Sequence, residues 1–288
     1  MNINNGERIK FALPSKGRIS EPSIDLLHRA GYAFRTKGRN LYATCTNDKI
    51  IFIFVRSDDI PVLVASGAID LGITGSDLII EHEADVAEIL PLGFGKCRLC
   101  VAVKNNFSGT DLSSFAGKNI ATSFPKMTSA FFAKNDVSVN CIKMKGSVEI
   151  MVDLSLADGI VDLVETGDSL RDNDLRVFAE IGSYEAELIA AKKIASSPEI
   201  QQIKRRIEGI LIADMYALIE YNIPESRLKD AEQITPGYSS PTVSKLDKDG
   251  WLAVKVMVRK NEIAAVMDSL EAIGAAAIIE TSVKNCRL

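Results

Sequence analysis

The stretch that most constrains the fold runs from Gly159 to Leu170, where an apolar segment breaks into a short polar loop. The first half, Gly159–Val164, is rich in β-prone residues and is bounded by residues that break regular structure, so it predicts a buried strand. The second half begins Glu165-Thr166-Gly167 and predicts a tight loop, because Gly167 permits backbone conformations that other residues avoid.

This loop has a composition suited to a phosphate group. Thr166 and Ser169 each supply a hydroxyl, and a strand-to-helix loop that contains glycine directs several N–H donors towards one point. The two acids of the loop, Glu165 and Asp168, suit sugar hydroxyls or a hydrated Mg²⁺. On these residues alone, an ordinary connection between a strand and a helix explains the stretch equally well.

Composition excludes several classes of protein. The chain has 288 residues, is 47% hydrophobic and 25% charged, and carries a formal net charge of −4, which argues against a general role with nucleic acid or anionic membranes. The sequence has no uncharged apolar segment of membrane-spanning length and no signal-peptide core at its start. Five cysteines in a chain of this length do not indicate a disulfide framework, so we expect a cytoplasmic protein.

The chain as far as about residue 213 alternates short strands with short helices, which predicts an α/β fold with a largely parallel sheet. Near Pro91 a second series of strands and helices begins, and two later segments, 174–181 and 185–190, are predicted to return from it as strands. Two lobes joined by crossing strands place a ligand cleft between them. From about Met215 to Val283 the predicted order is βαββαβ, which is the ferredoxin-like order.

Several local features have competing explanations. Cys97-Arg98-Leu99-Cys100 is a lone CxxC without a nearby histidine, so metal binding or redox catalysis is a weak hypothesis. His28 and His82 are predicted to be solvated surface residues, which argues against a histidine-based triad.

The polar residues at the predicted ends of strands and helices are stronger candidates for ligand binding. Five cations lie at or beside strand ends, where open α/β sheets bind ligands, and together they suit a polyanionic substrate. Glu149 begins a predicted helix, where it either caps the helix or enters the cleft. Ser20 and the pair Asp58-Asp59 are predicted to cap the helices that follow them. The cations are Lys16, Arg18, Arg56, Lys96 and Arg98.

At the level of motifs, nearly the whole chain resembles the long form of the ATP phosphoribosyltransferases, the first enzymes of histidine biosynthesis. The resemblance rests on the segments 13–18, 58–61, 70–75, 92–95, 120–123, 146–149, 156–167, 234–237 and 240–243. It implies a two-lobed catalytic core of the type II periplasmic-binding-protein-like class and a C-terminal ferredoxin-like, ACT-like regulatory domain. The implied boundaries are 1–96 for lobe I, completed by about 186–213, 97–185 for lobe II, and 214–288 for the regulatory domain.

The resemblance implies a reaction with two substrates, ATP and phosphoribosyl pyrophosphate (PRPP), and with Mg²⁺ as the cofactor. N1 of adenine displaces pyrophosphate from C1 of PRPP, which gives phosphoribosyl-ATP. Because N1 carries no proton at neutral pH, the chemistry needs no strong general base, and the scarcity of histidine is no objection. Bound cations and Mg²⁺ would stabilise the departing pyrophosphate.

The resemblance also assigns residues. Lys16 and Glu149 are expected in the catalytic cleft, and Arg56, Asp77 and Leu78 are expected to flank ATP. Glu165 stands where the family often has a small residue. The expected PRPP residues are Asp162, Leu163, Val164, Glu165, Thr166, Gly167, Asp168, Ser169 and Leu170.

In the C-terminal domain, the resemblance implies a pocket for L-histidine as a feedback inhibitor. Asn222 stands where some relatives carry an aspartate, and an amide makes a weaker neutral contact with the ligand's amino group. The resemblance further implies homo-oligomers, dimers and hexamers. The expected histidine-binding residues are Asn222, Tyr238, Ser240, Thr242 and Ala277.

Two other functions remain as alternatives. Prephenate dehydratases also join a two-lobed α/β domain to a ferredoxin-like regulatory domain, but their Thr-Arg-Phe segment has no match in Ala121-Thr122-Ser123-Phe124-Pro125. The segment Asp70–Asp77 repeats the order of strand, glycine, hydroxyl and helix start that is seen in Gly159–Leu170. A non-enzymatic sensor of small ligands would not need two such phosphate-suited strand ends.

Overall fold

The computed structural model describes residues 8–35 and 41–287. These residues form two compact units. The larger comprises the described residues of Met1–Asp25 and Tyr32–Gln201, and the smaller comprises Leu26–Gly31 and 202–287. Within the described ranges, every helix is too short or too polar to cross a membrane.

The strands and helices of both units are numbered here in chain order. The strands are β1 (Ile9–Pro14), β2 (Tyr42–Thr44), β3 (Ile50–Val55), β4 (Leu71–Gly75), β5 (Ala87–Pro91), β6 (Cys97–Lys104), β7 (Asn119–Thr122), β8 (Asn140–Lys143), β9 (Gly159–Val164), β10 (Leu175–Tyr184), β11 (Ala186–Ala190), β12 (Tyr216–Pro224), β13 (Thr242–Lys245), β14 (Trp251–Arg259) and β15 (Ala276–Ser282). The helices are α1 (Ser20–Arg29), α2 (Ile60–Ala65), α3 (Ser76–His82), α4 (Pro125–Lys134), α5 (Glu149–Asp153), α6 (Asp168–Asp172), α7 (Pro198–Met215), α8 (Leu228–Ile234) and α9 (Ile263–Ala272).

Lobe I is built on a six-stranded sheet in the order β2-β3-β1-β4-β11-β5. Strands β3, β1 and β4 are parallel, whereas β11 runs antiparallel to both of its neighbours. The central strands are apolar along their length because both faces are covered. The helix α2 packs against β4 and β11, and Ile60 and Val64 contribute buried side chains to this core.

Lobe II is built on a five-stranded sheet in the order β10-β6-β9-β7-β8. Strands β7, β8 and β9 are parallel, so the loops that follow them open at one edge of the sheet. Two aromatic side chains, Phe115 and Phe132, are fully buried in one core of this lobe. A second core lies against Val148 and Leu170, which come from the segments that flank the candidate loop.

Two connections join the lobes. The chain crosses from β5 to β6 and returns directly from β10 to β11. The C-terminal sheet has the order β13-β14-β12-β15 with every neighbouring pair antiparallel, and α8 and α9 pack against it. The predicted fold class is therefore confirmed: a two-lobed, type II periplasmic-binding-protein-like α/β core with a C-terminal ferredoxin-like domain.

Several local predictions were wrong in detail. Ser20 is the first residue of α1 and its hydroxyl donates to the Pro14 carbonyl at 2.7 Å, instead of capping the helix from outside. Asp58 and Asp59 lie in a 3₁₀ turn and form no side-chain cap. Asp58 instead accepts from His82 Nε2 at 2.8 Å, so this histidine has a carboxylate partner and is not simply solvated.

Candidate active site

The candidate loop follows β9, which is hydrogen-bonded between β6 and β7 and is buried at both of its ends. Residues 165–167 then connect β9 to α6. Gly167 has a φ of +82°, which lies in the left-handed region that only glycine adopts without strain. The predicted strand, tight loop and following helix are all present.

The nine residues expected to bind PRPP line one cavity together with Glu149. This loop cavity has a volume of about 220 Å³, and its wall consists of Glu149 and the continuous segment 162–170. Ser169 Oγ donates to Glu149 Oε1 at 3.1 Å, and the Thr166 hydroxyl donates to Asp168. Glu149, the first residue of α5, thus lies beside the loop and does not cap the helix.

Asp162 lines this cavity, and the pKa of its carboxyl is raised. Burial raises the pKa of its carboxyl from 3.8 to about 6, although the backbone N–H of Leu163 donates to it at 2.8 Å and lowers the pKa. The negative charge of Glu149 raises it further. Two carboxylates that repel one another in one cavity favour a ligand that brings positive charge or hydrogen-bond donors.

Arg18 connects lobe I to the loop. Its guanidinium donates to the Gly95 carbonyl at 3.2 Å and to Cys97 Sγ at 2.9 Å. It also lies 3.9 Å from Asp77 Oδ2 and 3.7 Å from Glu165 Oε1. Glu165, which stands where the resemblance led us to expect a small residue, is therefore balanced by a cation from the other lobe.

Asp77 is the buried member of the ion pair with Arg18. Only 2% of the residue is exposed, and its Oδ1 has no hydrogen-bond partner in the part of the chain that the structure describes. Burial raises the pKa of its carboxyl, against the lowering influence of Arg18. A Cβ atom on Gly75 would lie 2.0 Å from this oxygen, so glycine is required there to leave room for the carboxylate.

The CxxC motif has no reactive thiolate. Cys97 and Cys100 are both buried and free, and burial raises the pKa of the Cys97 thiol to about 11 even though Arg18 lies beside it. A thiol with so high a pKa stays protonated at neutral pH and is a poor nucleophile and metal ligand.

A larger cavity lies where the lobes meet. This inter-lobe cavity has a volume of about 490 Å³, within the usual range for sites that bind small molecules. It shares Val164 and Glu165 with the loop cavity, so the two cavities adjoin at the loop. Its lining residues are Ser76, Lys96, Cys97, Arg98, Val164, Glu165, Ser183, Tyr184, Glu185 and Glu187.

Glu187 in the wall of this cavity was not anticipated from the sequence. It lies within the otherwise apolar strand β11, and only 7% of it is exposed. Burial raises the pKa of its carboxyl from 4.5 to about 7, and the charges of Glu88 and Glu185 raise it further. An acid inside an apolar strand was the signal that could have identified it.

The Glu187 carboxyl predicts a pH-dependent stability. Because its pKa is raised in the folded state, the folded protein binds the proton more tightly, and this stability is lost as the pH rises from about 4.5 through about 7. Between pH 5 and pH 8, the free energy of unfolding should fall by about 2 to 3 kcal/mol more in the wild type than in Glu187→Gln. Urea unfolding at both pH values measures this difference. An equal change in the free energy of unfolding in the wild type and in Glu187→Gln would contradict it.

Other predicted residues do not line these two cavities. Lys16 and Arg56 are exposed at the ends of β1 and β3. Leu78 packs against the apolar core of lobe II. Asp77 does not line the inter-lobe cavity either, but it lies beside the cavity residues Cys97 and Tyr184, whose pKa values it raises.

The residues expected to bind histidine lie on and beside the C-terminal sheet. Asn222 pairs in register with Ala276 at an irregularity between β12 and β15, and the next residue, Ala277, has a φ of +51°. The Tyr238 ring packs edge-on against Tyr216 with 6.3 Å between centroids. Ser240 precedes β13 and Thr242 is its first residue, and both are exposed.

The architecture and the two adjoining cavities define a class: two-lobed α/β proteins with a cavity between their lobes and a C-terminal ferredoxin-like domain. Comparison with known proteins identifies the member of this class. The family model described as HisG, ATP phosphoribosyltransferase, matches residues 56–209, and the model of the HisG C-terminal domain matches residues 213–285.

Curated relatives match over almost their whole lengths. The ATP phosphoribosyltransferase of Rhodopirellula baltica is 46% identical over 97% of this chain and 94% of its own. That of Yarrowia lipolytica is 39% identical over 99% of both chains. A solved chain from the ATP phosphoribosyl transferase (HisG:HisZ) complex of Thermotoga maritima aligns with a TM-score of 0.60 and 26% identity, over 69% of this chain and 98% of that one.

The chain belongs to the ATP phosphoribosyltransferase family and is an enzyme of the pentosyltransferase class. Its two family matches are those of the long form, with both catalytic and C-terminal regions. The alternatives of a prephenate dehydratase-like enzyme and of a ligand sensor find no support among these relatives.

Proposed function

We propose that this enzyme transfers the phosphoribosyl group of PRPP to N1 of ATP, and that the loop cavity holds PRPP. The observation that carries the proposal is the convergence of the whole segment 162–170 with Glu149 on one cavity, around the left-handed Gly167. Because Gly167 has no side chain, a phosphate can approach the backbone of the loop closely.

The loop residues have distinct roles in this proposal. The Thr166 and Ser169 hydroxyls and the loop N–H groups bind the 5-phosphate, and Asp162 accepts a hydrogen bond from a ribose hydroxyl. In the free protein Thr166 donates to Asp168 and Ser169 donates to Glu149, so both hydroxyls are already directed by acceptors around the cavity. Lys16 is proposed to reach the departing pyrophosphate.

The donor set of the loop cavity suits Mg²⁺ together with a substrate. Magnesium in proteins is commonly held by one or two carboxylates and by substrate phosphates. Glu149 and Asp162 line the cavity, and the charge of one raises the pKa of the other, so a divalent ion would relieve their repulsion. These two residues would hold the ion, which supplies charge stabilisation to the leaving pyrophosphate.

The chemistry needs positioning more than proton transfer. The bond from C1 of the ribose to the pyrophosphate oxygen breaks, and the electron pair leaves with pyrophosphate. The lone pair of adenine N1 forms the new bond to C1. The carboxylate of Asp162 beside the ribose favours the positive charge that develops there, and the adjoining inter-lobe cavity holds ATP in line. Asp77 lies beside this cavity and is proposed to flank the nucleotide, whereas Arg56 and Leu78, which were expected to do the same, do not line the cavity in the free protein.

The C-terminal domain is proposed to bind L-histidine and to lower activity. The expected residue Asn222 pairs with Ala276, the chain neighbour of the expected residue Ala277, at one irregular point of the sheet, which supports a ligand contact there. Calorimetry with L-histidine tests this idea, and the absence of both binding and inhibition would refute it. The same proposal includes two further expectations: the protein assembles into homo-oligomers, namely dimers and hexamers, and it is located in the cytoplasm.

An initial-rate assay tests the proposed reaction. Purified protein is mixed with ATP, PRPP and Mg²⁺ in the presence of pyrophosphatase, and phosphoribosyl-ATP is followed by ultraviolet absorbance. Product should form only when both substrates are present. Absence of product with folded protein, or product formation without PRPP, would overturn the proposal.

A further inference from the structure

The inter-lobe cavity contains a polar group that the loop chemistry does not use. Glu187 lies in the wall of this cavity, is 7% exposed, and forms no hydrogen bond or ion pair among the described residues. A largely buried carboxylate that lines a cavity and has no protein partner is placed to accept hydrogen bonds from a ligand there.

The charges around Glu187 are mixed. The lining of the cavity includes the cations Lys96 and Arg98, which follow the crossing from lobe I. Glu185 comes from the other crossing, and Glu88 on the neighbouring strand β5 adds a further negative charge. The cavity therefore offers cations for phosphates and a buried acceptor for a group that carries N–H donors.

Resting on the proposed function, we propose that Glu187 determines nucleotide specificity by accepting a hydrogen bond from the exocyclic amino group of the adenine ring. Adenine presents an N–H₂ donor at C6, whereas the unsubstituted purine ring carries only hydrogen at that position and keeps the same unprotonated N1. An ionised carboxylate facing that position of the unsubstituted ring would be left without a donor. Glu187 is a specificity-determining residue in this account and takes no part in bond making.

The specificity should depend on pH because the carboxyl titrates near neutrality. The groups that act on Glu187 are Glu88 on β5 and Glu185 on its own segment, and Lys96, Arg98 and Tyr184 share its cavity. When protonated, the carboxyl is a neutral and weaker acceptor, so it favours the amino group less. Discrimination between ATP and purine riboside triphosphate should therefore rise as the pH increases through about 7.

The test measures by calorimetry the affinities for ATP and for purine riboside triphosphate in the wild type, Glu187→Gln and Glu88→Gln. Because a neutral amide carbonyl accepts a hydrogen bond more weakly than a carboxylate, Glu187→Gln should reduce the ATP preference by about 10-fold and remove its pH dependence. Glu88→Gln, an exposed matched control on β5, should retain the preference at high pH and shift its midpoint to lower pH.

The outcomes separate this inference from the proposed function. A preference in Glu187→Gln within 2-fold of the wild type, with the same pH profile, would overturn the role of Glu187 while leaving the reaction intact. If the wild type forms no phosphoribosyl-ATP, the proposed function fails. Calorimetric titration with each nucleotide alone then still measures the preference, and equal preferences in the wild type and Glu187→Gln would overturn the inference.

Discussion

Replacement of Gly167 by valine is expected to weaken PRPP binding by about 100-fold or more while leaving the melting temperature nearly unchanged. A Cβ at this position would meet nothing closer than Arg171 Nη1 at 3.6 Å, so the effect is not a steric collision in the free protein. A β-branched residue at a φ of +82° is strained by about 1 to 2 kcal/mol, so the loop relaxes. Loss of two or more charge-assisted hydrogen bonds to the phosphate accounts for the fold-change.

A matched control separates loop geometry from backbone strain in general. Gly117 also lies in lobe II with a φ of +72° and open space around the position of a Cβ, but it precedes β7 and lines neither cavity. Gly117→Val should carry a similar strain and leave PRPP affinity within about 2-fold of the wild type. Calorimetry with PRPP and Mg²⁺ measures both variants. Unchanged affinity in Gly167→Val would remove the loop from the mechanism.

Replacement of Arg18 by methionine is expected to lower the free energy of unfolding by about 3 kcal/mol at pH 8, because it leaves the buried carboxylate of Asp77 without its cation. The loss should be smaller near pH 5. Burial already raises the pKa of Asp77 and removal of Arg18 raises it further, so the carboxyl takes up a proton as the pH falls and the unpaired charge disappears.

A double variant checks the cause of this loss. In Arg18→Met/Asp77→Asn the buried charge is gone, so most of the lost stability should return in urea unfolding at pH 8. Arg227→Met breaks an exposed pair with Asp230 and serves as the control, with an expected cost below about 0.5 kcal/mol. If the double variant is no more stable than Arg18→Met, the pairing of Arg18 with Asp77 does not explain the loss.

Most of the fold followed from patterns that are local in sequence. The apolar run of β9 and the glycine that ends it predicted both the strand and the loop. The strand β5 was not predicted, because Ala87–Pro91 is short, carries an exposed glutamate and gains its partner only when β11 returns from lobe II. Strand identity there depends on pairing between distant segments, which periodicity cannot reveal.

The candidate site could be predicted only in part, because only part of it is formed by residues that are close together in the sequence. The segment 162–170 is continuous, so its residues could be named together and the structure places them around one cavity. The contacts of Arg18 with Asp77 and Glu165 join positions that are far apart in the chain, and the fold alone brings them together. Glu187 has no neighbouring motif, and its significance depends on its burial beside a cavity.

Hydrogen exchange of the backbone amides tests the proposed PRPP loop most directly. The protein is compared alone, with PRPP and Mg²⁺, and with ATP and Mg²⁺, and exchange is followed by mass spectrometry across peptides that cover 162–170. The account predicts slower exchange in this segment with PRPP, and no comparable change there with ATP alone. Unchanged exchange in 162–170 at saturating PRPP, or protection by PRPP confined to other segments, would contradict it.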